Sequence, residues 1–119
     1  MIKIKRVYEP AMPDDGQRFL IERLWPRGIK TEQLKMGTWL KDVAPSTKLR
    51  QWFSHDPAKW AEFQQRYSAE LQSHAQALVE LLDVAQHETV TLLYSARDTE
   101  HNSAIVLQAF LEKKLGTKK

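Results

Sequence analysis

The 119-residue chain contains no cysteine. That excludes disulfides, thiol nucleophiles and iron–sulfur ligation within it, and it fits the expectation of a cytoplasmic protein. Glycine is nearly as scarce, with four in all. There is no G-x-x-x-x-G-K-[ST] phosphate loop, no G-x-G-x-x-G turn and no G-x-S-x-G elbow, so no cofactor is expected. The four histidines stand singly, without an HExxH pair, and no metal site is expected. No apolar run approaches the roughly 20 residues that cross a bilayer, so no membrane partner is expected. The opening MIKIKRVYEP alternates charge with aliphatic residues, unlike a signal or transit peptide.

What is present is ordinary globular material: 42% hydrophobic and 28% charged residues, with a formal charge of +3. This length suits one core, taken as a single domain over 1–116 with a frayed basic tail at 117–119. Ile2 to Tyr8 alternates with period two, the pattern of a strand with one wetter face near a sheet edge. Pro10, Pro13, Asp14, Asp15 and Gly16 mark an exposed loop. Arg18 to Trp25 reads as a second strand ended by Pro26-Arg27-Gly28, and Thr38 to Val43 as a weaker third. Thr31 can cap a short helix to Lys35, and Ser46 another to about Phe53. Asp56-Pro57 is a helix start, and Trp60, Phe63, Tyr67, Leu71, Leu78 and Leu82 form one apolar stripe, bent or split near Ser73-His74. Thr89 to Tyr94 is the most hydrophobic strand and belongs at the centre. Ser95 to Asp98 turns into a last helix over about Thr99 to Leu115, where Lys113 and Lys114 suit the negative end. This order predicts an α/β layered domain with a mainly parallel sheet of about four strands flanked by helices. The first two strands lack a helix between them and are either antiparallel neighbours or joined by the proline-rich loop.

Polar clusters follow three of the apolar runs at once: Arg23-Leu24-Trp25-Pro26-Arg27-Gly28, Asp42-Val43-Ala44-Pro45-Ser46, and Tyr94-Ser95-Ala96-Arg97-Asp98. Arg6 and Tyr8 form a fourth. Parallel sheets bind ligands beyond the carboxyl ends of their strands, which would put these clusters on one rim. Guanidinium forks from Arg6, Arg23, Arg27 and Arg97 would then suit phosphate or carboxylate oxygens. Trp25, Ser46, Tyr94 and Asn102 join them as candidate ligand-binding residues, and Asp42 and Ser95 are the candidate catalytic groups. Each has a plainer reading. Trp25 suits a core, Arg23 and Arg97 can pair with Glu22, Asp42 or Asp98, and Asp98 and Ser46 are natural helix caps. His55 is either a general acid or base, or an incidental loop histidine.

Arg6-Val7-Tyr8, Asp15-Gly16, Glu22-Arg23-Leu24-Trp25-Pro26-Arg27-Gly28, the segment from Trp39 through Lys41-Asp42-Val43-Ala44-Pro45-Ser46, Leu49-Arg50, Thr91-Leu92-Leu93-Tyr94-Ser95-Ala96 and Asn102 together resemble the YeaO-like branch of the domain-of-unknown-function 488 family. The resemblance covers nearly the whole chain and implies a small cytoplasmic α/β protein without an established activity. The broader family often carries a cysteine where the last strand ends and a Cys-His-Arg segment shortly after. Here Tyr94-Ser95 and roughly His101-Asn102-Ser103 stand in those places, so thiol chemistry does not carry over. Some relatives bear a methyltransferase label, which the lack of a glycine-rich loop does not support. The expected function is binding of a small phosphate- or carboxylate-bearing molecule at the strand ends, with catalysis left open. The alternative is a nucleic-acid- or protein-binding regulatory module, suggested by the basic ends and by aromatics such as Trp52, although the charge is not dense enough to favour nucleic acid.

Overall fold

The computed structural model describes residues 1–30 and 38–116. Four strands form one parallel sheet: β1 (Ile2–Arg6), β2 (Gln17–Leu20), β3 (Thr38–Trp39) and β4 (Val90–Tyr94), in the order β1-β4-β2-β3. The four described α-helices are α1 (Thr47–Phe53), α2 (Trp60–Ser73), α3 (Ala75–His87) and α4 (Ser103–Gly116). The α/β parallel sheet is thus as expected, with the apolar strand β4 inside it and β1 at an edge. The first two strands are not neighbours: β4 lies between them and pairs parallel with both. The helix expected at Thr31–Lys35 and the tail at 117–119 lie outside the described residues.

Side-chain alternation divides the sheet into two faces. Ile2, Phe19, Val90, Leu92 and Tyr94 point to the helices and share a core with Phe63, Tyr67, Leu71, Leu78, Leu81, Leu107 and Leu111. Burying side chains of this size is worth about 1.5–3 kcal/mol each before chain entropy is counted. On the opposite face Val7, Leu20 and Leu93 lie under Trp25, Ile29 and Trp39, with no helical residue in that cluster. There too Asp15 is buried with Lys5 and Arg18 as ion-pair partners, and Thr91 donates its hydroxyl to the Asp15 carbonyl at 2.7 Å.

Several boundaries differ from expectation. The first strand ends at Arg6 rather than Tyr8, and Asp56 caps a 3-10 turn over Pro57–Lys59 before α2 begins at Trp60. The second strand stops at Leu20 rather than Trp25, because Glu22 and Arg23 turn to side-chain partners elsewhere and Trp25 folds back over the sheet, its indole donating to the Ile29 carbonyl at 2.7 Å. The third strand ends at Trp39 rather than Val43. Leu40 makes a last bond to the Leu20 carbonyl at 2.8 Å, and Lys41–Val43 then coils into a 3-10 turn. The last helix begins at Ser103 rather than Thr99. Asp98 caps the turn before it, accepting from the Glu100 and His101 amides, while Asn102 caps the helix itself through the Ile105 amide. The break between α2 and α3 falls at His74, as the stripe indicated. No described helix is long and apolar enough to cross a membrane.

Candidate functional site

A cleft of about 700 Å³ opens beyond the carboxyl ends of β2 and β4. That is where a parallel sheet leaves room for a ligand, because the chain departs from each strand in a different direction. Three segments form its walls: Glu22-Arg23 after β2, Arg50 to His55 at the end of α1, and Ser95 to Ser103 between β4 and α4. Its volume is that of a small-molecule site.

At the cleft lining, Glu22 and Ser95 face each other across neighbouring strands. The Ser95 hydroxyl donates to Glu22 Oε1 at 2.6 Å. Burial raises the Glu22 carboxyl above its ordinary range, opposed by the Ser95 hydroxyl, the Arg50 charge, the Ser95 amide and His55. His101 is held by Asp98, with Nδ1 3.0 Å from Oδ2, and its ring stands edge-on to Trp60. Since an ionised carboxylate only accepts, Nδ1 carries the proton and Nε2 is left for another partner. Asp98 is held below its usual range, first by the Glu100 amide and then by His101.

On the opposite wall α1 ends at Ser54, whose amide bonds the Arg50 carbonyl at 2.9 Å. Ser54 and His55 both take the left-handed backbone region, with φ of 48° and 57°. For residues with a Cβ this costs about 1–2 kcal/mol each, and such strain concentrates at functional sites. Arg50 and Arg97 also line the cleft, and neither guanidinium has a hydrogen bond or ion pair among the described residues.

Of the residues singled out from sequence, Arg23, Ser95, Arg97 and Asn102 line this cleft. Arg23 is already engaged: Nε and Nη2 donate to the Pro45 and Ala44 carbonyls, both at 3.0 Å. Asn102 is buried with both amide atoms used, Nδ2 by the Asp98 carbonyl and Oδ1 as the helix cap. Arg6 stands behind the cleft, bonding the Ala96 carbonyl at 3.0 Å while its guanidinium lies 4.9 Å from the Tyr8 ring centre. Arg27 is exposed away from the cleft, and its carbonyl accepts from the Tyr8 hydroxyl. Trp25 packs edge-on against Trp39 on the helix-free face. Tyr94 is buried in the helix-side core, where burial pushes its hydroxyl up. Asp42 and Ser46 line a separate cavity of about 260 Å³, where Ser46 caps α1 and donates to Glu70 Oε2 at 2.6 Å. Four arginines therefore do not share one mouth: Arg23 and Arg97 reach it, Arg6 and Arg27 do not. Trp52 is half-buried, with Lys59 and Arg66 against its ring.

Glu22, Arg50, His55 and His101 also line the cleft; of these the sequence had singled out only His55, as a general acid or base or an incidental loop histidine. Glu22 and Ser95 carried a usable signal, since each directly follows an apolar strand and the two strands are neighbours.

A family model described as the inactive DUF488-N3 subclade matches residues 1–119. The chain belongs to the domain-of-unknown-function 488 family. Its relatives within that family include the uncharacterised protein YeaO of Escherichia coli (strain K12), 46% identical over 110 residues that cover 92% of this chain and 96% of YeaO. The uncharacterised proteins Mb3100c of Mycobacterium bovis (strain ATCC BAA-935 / AF2122/97) and Rv3073c of Mycobacterium tuberculosis (strain ATCC 25618 / H37Rv) are each 43% identical, over 92% of both chains. No solved structure matches.

Proposed function

We propose that this DUF488 protein binds a small anionic molecule in the cleft beyond β2 and β4, without transforming it. The observation that carries this reading is the pair of guanidinium groups, Arg50 and Arg97, lining a ligand-sized cleft and making no hydrogen bond or ion pair among the described residues. Both are exposed to solvent and open to a ligand, whereas the half-buried Arg23 spends its donors on two carbonyls.

Binding fits better than catalysis. The Ser95 hydroxyl donates to Glu22 Oε1, and no histidine bonds that hydroxyl among the described residues, so the contact orders Ser95 in the cleft wall. Asp42 lines the other cavity. The family description as inactive points the same way.

Thermal unfolding with a panel of phosphorylated and carboxylated metabolites tests the reading. A stabilising ligand should raise the midpoint of the wild type and of Arg27→Ala, whose side chain lies outside the cleft. It should lose most of that effect in Arg50→Ala and Arg97→Ala. Equal protection in all four proteins would place the ligand elsewhere and end the proposal.

A further inference from the structure

Resting on the anion-binding reading, the arrangement of donors and acceptors in the cleft narrows the class of ligand. Ser95 and Glu22 differ from the rest of the lining. The Ser95 hydroxyl proton is committed to Glu22 Oε1 at 2.6 Å, and an ionised carboxylate has no proton to offer. Toward the cleft this pair therefore presents oxygen lone pairs and no donor. Among the described residues Ser95 supplies the only hydrogen bonds to the Glu22 carboxylate, through its hydroxyl and its amide. A carboxylate has about four acceptor positions, so part of its capacity is unfilled. Arg50 and His55 act on it only through space.

The arginines of the same lining have the opposite character. Arg50 and Arg97 offer N–H groups alone, because a guanidinium cannot accept. One cleft thus holds an acceptor-only patch and a donor-only patch. A simple anion would satisfy the arginines and be repelled by Glu22. A simple cation would do the reverse.

We infer that the ligand is bifunctional, with an anionic phosphate or carboxylate for Arg50 and Arg97 and a protonated amine for the Glu22–Ser95 pair. The class is a small zwitterion or an amine-bearing anion. The amine would supply a direct cationic partner beside the Ser95 bonds, and N⁺–H···O⁻ bonds are about twice as strong as neutral ones. The same pair would turn away ligands that carry only acceptors at that end, since two facing acceptors leave both unpaired.

Two probes differing only in the amine test this by isothermal titration calorimetry at about pH 7.5: ethyl phosphate and 2-aminoethyl phosphate. The wild type should bind the amine-bearing probe about tenfold more tightly, a difference of roughly 1.4 kcal/mol. In Glu22→Gln, which keeps an oxygen for Ser95 to bond, the preference should collapse to about twofold or less, with ethyl phosphate binding more tightly than before because the charge that repels it is gone. The wild-type comparison decides even where a variant folds poorly. If ethyl phosphate binds and the amine brings no gain, the bifunctional ligand is wrong and the anion cleft stands. If neither probe binds at about 10 mM, the anion-binding reading itself falls and this inference falls with it.

Discussion

At Gly16 the backbone takes φ of 66° and ψ of −137° to bring the loop after β1 into register beside β4, where the Gln17 amide bonds the Thr89 carbonyl at 3.0 Å. A Cβ at this position would lie inside the van der Waals envelope of that carbonyl and of the Thr89 side chain. Two penalties therefore combine in Gly16→Ala, a disfavoured backbone region and a collision with main chain that cannot move without opening the sheet. The substitution should lower unfolding free energy by about 3 kcal/mol, read from the urea midpoint at an unchanged slope. Gly28 makes a useful contrast. It also has positive φ, at 80°, but a Cβ there meets open space, so only the backbone penalty applies and Gly28→Ala should cost visibly less. Equal losses at the two positions would mean that crowding at Thr89 contributes nothing.

Among the elements, the link between the end of β2 and the start of α1 depends on one side chain. Arg23 bridges to the Ala44 and Pro45 carbonyls, and Ser46 next to them joins Glu70 of α2 through its hydroxyl and its amide. Hydrogen bonds with a charged partner contribute about 1.5–3 kcal/mol, more than neutral ones. Arg23→Ala should therefore destabilise the fold by about 2 kcal/mol in urea unfolding. Arg23→Lys should recover only part, because an ammonium lacks the planar fork that reaches both carbonyls. An alanine variant as stable as the wild type would remove this bracing role. The same residue shows what could be read beforehand. That an arginine at a strand end does something specific was legible, because a turn has no need of it. What it does was not, because its partners lie 21 and 22 positions away and are backbone atoms without sequence identity. Likewise the parallel sheet, the inner position of β4 and the break at His74 follow from apolar periodicity, which acts locally. The early stop of β2 and β3 follows from tertiary bonds, which periodicity does not register. The cleft was half visible for the same reason. Its rim follows from strand direction, while the membership of Arg50, His55 and His101 depends on how α1 and α4 settle over that rim.

For the whole molecule, two carboxylates, Asp15 on the helix-free face of the sheet and Glu22 in the cleft beyond its strand ends, give stability a window in pH. Asp15 is buried, which by itself would raise its pKa, but the Met12 amide, Lys5 and Arg18 together outweigh burial and hold it below its ordinary value of 3.8. A carboxylate with a lowered folded pKa adds stability that is present above the unfolded value and is lost as pH falls through the folded one. Glu22 has the opposite sign. Its folded pKa lies above the ordinary 4.5 because of burial, so the native state holds that proton more firmly than the unfolded chain does. Stability is then highest below 4.5 for this group and declines as pH rises through the raised value. Glu22→Gln keeps the shape and a bonding oxygen for Ser95 but does not titrate. Relative to wild type it should gain stability as pH rises above 4.5 toward neutrality, and the difference should shrink as pH falls toward 4. Thermal unfolding of both proteins from about pH 4 to pH 8 measures this, and a difference that stays flat over that range would mean that burial places no strain on the Glu22 charge. The direction matters for function as well. A carboxylate whose charge weakens the fold at neutral pH would gain a functional reason in a cleft that holds a cationic group. A variant more stable without ligand and less selective with it would join the two observations.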